Sequence, residues 1–447
     1  MEECRDNFGD GSMMKEKWQA VHLGKYFKLE HGWAFKGKFF AKEGKYILLT
    51  PGNFNPDGGI KLKGEKEKYY IDNFPDEFLL KYDDLLVVMT DLTQDAPILG
   101  SPAFITENDK FLHNQRLGKV VDLDETQINR AFLYYLFNSS IVRNQIKATA
   151  NGTTVKHTSP DRIYNVEINL PSLSTQHKIA AILSPYDALI ANNTRRIQIL
   201  EEMARIIYRQ WFVEFQFPGH EHGPMVESEL GMIPRGWEIG KLEDIVHNIR
   251  KTEKPGKHLE PLPYVPIDCI SRRSIALMQH KPSHEAKSSL IAFKRNDILF
   301  GAMRAYFHKV TFAPFDGITR QTCFVLRSKN PNNYPFALFT IFQDSTVKYA
   351  SNYSTGSTIP YATWDGALAV MPVVKPPNSL IQQFSDMVAP MLDSIRMMTM
   401  KNQNLRKTRD LLLPKLISGE LDVSTLDIQI NPENSDSADN PAMSVDL

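Results

Sequence analysis

The sequence contains one unit written twice, and this repeat limits the fold more tightly than any single motif. Trp18-Gln-Ala-Val-His-Leu23 is echoed by Trp237-Glu-Ile-Gly-Lys-Leu242, and Asp83-Asp84-Leu85-Leu86-Val87 by Asn296-Asp297-Ile298-Leu299-Phe300. Gln115, in His113-Asn114-Gln115-Arg116, answers to Gln321, in Thr319-Arg320-Gln321-Thr322. Gly152-Thr153-Thr154-Val155 is matched by Gly356-Ser357-Thr358-Ile359, and Pro171 by Pro376. The offset drifts from 219 through 213, 206 and 204 to 205, as two copies differing by short loop insertions and deletions require.

Each copy has two unlike parts. The first mixes β-rich runs with turn residues, such as Tyr46-Ile-Leu-Leu-Thr50 before Pro51-Gly52-Asn53, and Thr322-Cys-Phe-Val-Leu326 before Asn330-Pro331. The second reads as a long helix. Alternating steps of four and three place Ile179, Leu183, Tyr186, Ile190, Asn193, Ile197, Leu200, Ala204, Ile207 and Trp211 on one stripe. The second copy places Phe384, Val388, Met391, Ile395, Met398, Asn402, Leu405, Arg409 and Leu412 likewise, with Pro414 as the expected stop. Each stripe needs a cover, and the other helix supplies it, so an intramolecular antiparallel coiled coil is expected, with Asn193 and Asn402 as polar positions that help fix register. Trp211 and Phe212 are expected packing anchors. The fold class expected is α+β, with two mixed, strand-rich domains separated by two long antiparallel coiled-coil helices and an internal pseudo-two-fold repeat. A helix from about Gln176 to Val213 is roughly 55 Å long. Two heads that far apart do not share one small ligand, but over at most roughly 16 base pairs of duplex they can read two short sequences around a gap.

Charge points the same way once it is resolved along the chain. The net charge is zero, yet Arg250 to Asn330 carries 15 Lys and Arg against 6 Asp and Glu, while Glu420 to Leu447 carries 7 acids and no base. Lys25 to Lys147 holds 17 of each sign, so nucleic-acid contact in the first half must rest on local clustering. Cys4, Cys269 and Cys323 are far apart and form no Cys-x-x-Cys pair, so neither a disulfide framework nor a thiolate zinc site is indicated. No long apolar run and no secretory leader pattern are found, and a cytoplasmic location is expected.

Several stretches resemble type I restriction-modification specificity subunits. Thr175-Gln-His-Lys-Ile-Ala-Ala-Ile-Leu183, Leu200-Glu-Glu-Met-Ala-Arg205 and Trp211-Phe-Val-Glu-Phe215 are similar to the central spacer of that family. Leu230-Gly-Met-Ile-Pro-Arg-Gly-Trp237 resembles the opening of its second recognition domain, and Leu412-Leu-Pro-Lys-Leu-Ile-Ser-Gly-Glu-Leu421 the close of its second spacer. The resemblance implies a non-catalytic subunit whose two target recognition domains each read half of a bipartite site in double-stranded DNA. Its spacer helices would dock modification (methyltransferase) subunits, two in number, and thereby organise restriction (ATP-dependent translocase/endonuclease) subunits. On this reading the chain divides into an N-terminal extension (1–16), a first recognition domain (17–174), a central spacer helix (175–216), a linker (217–236), a second recognition domain (237–376), a C-terminal spacer helix (377–420) and an acidic, disordered tail (421–447).

The DNA-contact candidates in the basic second domain are Arg272, Arg273, Arg304, His308, Lys309, Arg320 and Gln321. Arg grips guanine edges, Gln adenine edges, and Lys serves phosphates. In the first domain the corresponding residues are Lys110, His113, Asn114, Gln115 and Arg116. Gly152, Thr153 and Thr154, with Gly356, Ser357 and Thr358, offer small hydroxyl and backbone donors suited to phosphate, or form simple turns. Arg195, Arg196, Glu201, Glu202 and Arg205 are expected to face outward for docking or simply to be solvated.

No cofactor is expected. A single-chain methyltransferase fails on inventory, for there is no Asn-Pro-Pro-aromatic or Asp-Pro-Pro-aromatic tetrapeptide and no glycine-rich nucleotide fingerprint. A hydrolase lacks its nucleophile elbow and its phosphate loop. His220-Glu-His222 is at most a two-ligand metal fragment. A stand-alone sequence-specific DNA-binding regulator and a coiled-coil scaffold remain as rival readings.

Overall fold

The computed structural model describes residues 18–428 apart from Ser288 and Ser357. The extension 1–16, Cys4 and the tail from residue 429 lie outside the described residues. The chain forms two compact units, residues 1–186 with 408–447, and residues 187–407.

The first unit opens with β1 (Gln19–His22) and β2 (Lys28–His31), then β3 (Phe40–Ala41), β4 (Tyr46–Leu48), β5 (Tyr69–Tyr70), β6 (Leu85–Val88), β7 (Thr90–Asp91), β8 (Pro102–Phe104), β9 (Phe111–Leu112) and β10 (Leu117–Val121). Helices α1 (Arg130–Asn138) and α2 (Ser140–Ala148) follow, then β11 (Lys156–His157), α3 (Pro160–Tyr164) and β12 (Glu167–Leu170). Asn129 caps α1 and Ser139 caps α2, each side chain accepting from a backbone N–H of the first turn. The main sheet has the order β2-β10-β6-β8; a second, aromatic-rich sheet has the order β3-β5-β4-β9; β1 pairs with β12 and β7 with β11. Leu85 and Val87 face one side of the main sheet with Phe132, Leu133 and Leu136 of α1, while Leu86 and Val88 pack with Phe54, Leu80 and Ile105 on the other. This alternation is why β6 reads as an unbroken apolar run: both its faces are buried.

The long helix α4 (Leu173–Phe212) passes from the first unit into the second. Next come a hairpin, β13 (Met225–Ser228) with β14 (Gly231–Pro234), inside the stretch expected to be a linker, and then β15 (Glu238–Lys241), α5 (Leu242–Ile245), β16 (Val246–Ile249), β17 (Thr252–Glu253), β18 (Leu290–Phe293), β19 (Ile298–Gly301), β20 (Val310–Phe312), β21 (Gly317–Arg320) and β22 (Cys323–Ser328). The unit continues with α6 (Tyr334–Phe342), α7 (Asp344–Asn352), β23 (Ser354–Thr355), β24 (Tyr361–Ala362), β25 (Pro372–Lys375) and α8 (Asn378–Ile417). Its main sheet, β16-β22-β19-β20, has the order of the first unit's, strand for corresponding strand, and β15 pairs with β25 as β1 does with β12. The repeat holds at the level of single dihedrals. Asp83 and Asn296 both take the left-handed conformation, at φ 67° and 71°, where the chain turns into β6 and β19, and Gly152 and Gly356 share a φ of 95°. Asp84 and Asp297 both accept from the backbone N–H three residues before them.

In each unit α4 and α8 run antiparallel, as the two heptad stripes predict. Ile179 and Leu183 pack with Leu412, Leu416 and Ile417 in the first unit. In the second, Ile197, Ala204, Tyr208, Trp211 and Phe212 pack with Phe384, Val388, Ile395 and Met398. The expected stop at Pro414 is overturned, since α8 continues to Ile417. Proline there removes one helical hydrogen bond, and its carbonyl still accepts from Ser418 N–H at 3.0 Å to finish the last turn.

Candidate DNA interface

In the first unit, the loop 113–116 joins the aromatic sheet to β10. Trp33 N–H donates to His113 C=O at 2.9 Å and Gln115 N–H to Trp33 C=O at 3.1 Å, while Asn114 Oδ1 accepts from Arg116 N–H at 3.0 Å in an Asx turn. The turn leaves Gln115 and Arg116 exposed and Asn114 half-buried. Arg116 C=O accepts from Met89 N–H, and Met89 C=O from Thr158 N–H, so this loop borders the turn of Gly152, Thr153 and Thr154, all exposed. His113 departs from expectation. It is 1% exposed, its Nε2 is 2.9 Å from Leu117 C=O, and burial pushes its ring down to about 4, so it is a neutral core residue and leaves the candidate set. Lys110 opens β9 with its ammonium held by both oxygens of Glu107 at 2.7 and 2.8 Å, rather than standing free.

The second unit draws its candidates together around the turn Ala305–Phe307. Arg304 and His308 bracket it in left-handed conformations, φ 53° and 51°, a backbone state that costs a non-glycine residue about 1–3 kcal/mol and persists only when neighbours enforce it. Four contacts do so. Arg304 N–H donates to Pro360 C=O at 2.8 Å, Arg273 N–H to His308 C=O at 2.9 Å, the Arg272 guanidinium covers the Phe307 ring at 3.9 Å, and His308 Nδ1 lies 3.1 Å from Asp344 Oδ1. The same carboxylate oxygen is 3.1 Å from Arg273 Nη1. Gln321 is exposed, with its carbonyl fixed by Tyr361 Oη at 2.9 Å, and Arg320 is exposed beside it. Tyr361 bridges to Met303, which joins the Gly356 turn, including exposed Thr358, to the same edge. Ser357 lies outside the described residues.

Two members are reassigned by burial. His308 is 4% exposed with its pKa lowered by desolvation, so it anchors the turn instead of facing outward. Lys309 directs its ammonium to Ile267 C=O at 2.7 Å, and burial lowers its pKa as well. Glu201 likewise does not face outward: its Oε1 accepts from Ser274 Oγ at 2.8 Å and Ala276 N–H at 2.7 Å, and burial raises its pKa to about 7. Arg195, Arg196, Glu202 and Arg205 are exposed, the last two paired with each other.

Residues 15–202 and 234–365, well over half the chain and falling once in each copy of the repeat, match the family described as type I restriction modification DNA specificity domain. The chain belongs to this family. It is a type I restriction-modification specificity subunit, the DNA-recognition component and not a catalytic one. The MjaIX specificity subunit of Methanocaldococcus jannaschii is 28% identical over 310 residues, which cover 66% of this chain and 70% of that one. The HindI specificity subunit of Haemophilus influenzae is 20% identical over 355 residues, 65% and 76% of the two chains. The crystal structure of the S subunit from M. genitalium shares the fold, with a TM-score of 0.57 at 15% identity over 90% of this chain and 97% of that one.

Among the described residues of this specificity subunit there is no group of three His, Cys, Asp or Glu side chains able to hold a metal ion, and no helix is long and apolar enough to cross a membrane. Cys269 and Cys323 are buried free thiols. Sequence reading missed Asp344, which ties Arg273 and His308 to one oxygen, because the partners lie 71 and 36 positions away with no pattern linking them. It also missed Tyr306, 55% exposed at the tip of the enforced turn. The combination of Arg, aromatic and His in Arg304-Ala-Tyr-Phe-His308 was the available signal.

Proposed function

We propose that the two strand-rich domains each read one half of a bipartite site in double-stranded DNA, at the edges carrying Gln115 and Arg116 in the first and Arg272, Arg273, Arg304, Arg320 and Gln321 in the second. The Gly152 and Gly356 turns supply backbone and hydroxyl donors to phosphate beside them. One observation carries the reading: Gln115 and Gln321 occupy the same position of the same sheet topology, each followed by a residue whose carbonyl accepts the N–H of the residue just after the preceding strand (Arg116 from Met89, Thr322 from Ala302). A chain that builds the same exposed edge twice is suited to two similar ligands, and two half-sites of one duplex are such a pair. The antiparallel helices α4 and α8 dock modification subunits, two per complex, through outward residues such as Arg195, Arg196, Glu202 and Arg205. The assembly then methylates DNA in the cytoplasm or, with restriction subunits, cleaves it.

The test is single-molecule methylation sequencing of DNA from a host expressing this chain with the modification subunit encoded beside it, against the same host without this chain. The expected result is a new methylated motif in two parts around a nonspecific gap. An active complex that methylates nothing, or a one-part motif indifferent to this chain, would sink the proposal.

A further inference from the structure

The first unit shows no basic surplus in its sequence, but the fold sorts its charges. Several of its acids are engaged: Glu67 is 6% exposed and accepts from Asn53 Nδ2, Asp91 is 2% exposed and caps Thr93 and Ile98, Asp109 holds Lys81, and Asp122 holds Lys28. Lys28, Lys63, Lys81 and Lys110 are paired with carboxylates, but another group of lysines is not. Lys36, Lys38, Lys42, Lys45 and Lys68 are all exposed, and among the described residues none has a carboxylate within ion-pair distance. Lys36 and Lys38 lie in the turn before β3, Lys42 and Lys45 flank exposed Glu43 between β3 and β4, and Lys68 directly precedes β5. The register that pairs Ala41 with Tyr69 makes Lys42 and Lys68 the next position on each strand, and Lys45 directly precedes β4. Three ammonium groups hang over aromatic rings: Lys38 over Phe39 at 4.6 Å, Lys45 over Tyr46 at 4.7 Å and Lys68 over Phe40 at 5.3 Å. These rings belong to one cluster built around Tyr70. Trp33 belongs to it too, 6.3 Å from Tyr70, and it is Trp33 whose backbone holds Gln115. The lysine face therefore continues from the edge assigned to base reading.

We propose that this face of the aromatic sheet is a phosphate-contact surface, gripping the backbone of the duplex beside the first half-site without reading its bases. The inference rests on the DNA-reading role proposed above. Its occupant is chosen by charge: five exposed ammonium groups around one small sheet, against the exposed carboxylate of Glu43, leave a positive surface that matches a polyanion with a phosphate repeat, and lysine, a flexible point charge, suits phosphates better than base edges. Cation–π contacts at an exposed site are worth about 0.5–1 kcal/mol each, enough to bias the lysines toward the sheet and too little to compete with phosphate.

The experiment measures binding of the full chain, copurified with its modification subunit, to a duplex carrying the methylated motif and to a scrambled duplex, as a function of KCl concentration. Loss of phosphate contacts makes the slope of log affinity against log salt shallower by about 0.9 per contact. The variant K36Q/K38Q/K42Q/K45Q/K68Q is expected to lose roughly 4 from that slope on both duplexes, and the milder K45Q/K68Q roughly 2. The methylated motif should stay the same in both. An unchanged slope in the two variants overturns the proposal, as does an unchanged slope with lost copurification, which would assign the face to a protein partner. Failure of the underlying reading looks different, since a wild-type complex without any bipartite preference is seen in the motif and not in the slope.

Discussion

Asn193 and Asn402 meet inside the helix pair, with Asn193 Nδ2 donating to Asn402 Oδ1 at 2.9 Å, and at 6% and 0% exposure neither reaches water. Asn402 Nδ2 is spent on Ile190 C=O at 3.3 Å and Thr194 Oγ1 at 3.2 Å, so the pair is closed on α4. Either single Leu substitution orphans a buried amide and should cost about 1–3 kcal/mol, whereas N193L/N402L should recover most of that. A double-mutant cycle on the denaturation midpoint checks this, and additive losses would deny the coupling. The double variant also loses polar contacts that oppose slippage of the seam.

Asp297 is buried at the start of β19 and is held by Arg327 through two bonds of 2.7 Å, as well as by Lys294 N–H. Its counterpart Asp84 keeps the backbone bond without such an arginine and is half-buried. Arg327→Met should destabilise the second unit by about 3 kcal/mol because it strands a buried carboxylate, and Asp297→Asn should cost less. Equal losses in calorimetric melting of the two variants would contradict this order.

Burial raises the pKa of Glu201 to about 7, with the bonds from Ser274 and Ala276 opposing that rise. A carboxyl raised in the folded state favours the protonated form there. Stability is therefore highest below the unfolded pKa, about 4.5, and is lost as pH climbs through about 7. The melting temperature should fall by several degrees across that window on account of this group. Glu201→Gln, which keeps an acceptor and removes the charge, should flatten that part of the profile; a variant as pH-dependent as the wild type would count against it.

Gly152 and Gly356 share a φ of 95°, but their surroundings differ: an added Cβ meets Val155 C=O at 1.9 Å in the first turn and Ile359 C=O at 2.9 Å in the second. Alanine should be harmful at both positions, costing about 1–3 kcal/mol in backbone strain, and worse at 152 because a carbonyl must also move. Methylation of the bipartite motif should slow more for Gly152→Ala than for Gly356→Ala, and the reverse order would contradict the steric reading.

Asp344 is a positioning residue for the enforced turn. Its carboxylate is largely exposed, so Asp344→Ala should leave the melting temperature nearly unchanged, as loss of surface ion pairs usually does. Releasing His308 and Arg273 should nevertheless slow methylation by about tenfold and broaden the half of the motif read by the second domain. Wild-type rate together with the wild-type motif would remove Asp344 from this role.

Much of the architecture was legible because it is encoded locally. The heptad stripes need only the 3.6-residue period of a helix, and every stripe position is buried or half-buried in the folded chain. The repeat was visible in five short matches, since the same turns demand the same residues: Asp83 and Asn296 are both types that tolerate the left-handed region their position requires. The site was less legible. His113 and His308 look like interface residues in the sequence, but whether an imidazole faces solvent depends on which distant elements close over it, here the carbonyl of Leu117 in one case and α6 and α7 in the other.

The residue pattern alone shows one unit repeated, a long helix ending each unit, and two helices that cover one another antiparallel with asparagines at polar positions of the seam. These follow from periodicity and spacing, which act over a few residues. Which charges are left free is set by how distant segments fold onto one another. Counted along the first unit, acids and bases cancel; once folded, Glu67 and Asp91 are buried and Asp109 and Asp122 paired, while five lysines are left on one aromatic sheet. Electrostatic pairing acts through space over a few ångströms and ignores chain order, so a linear count holds no record of it.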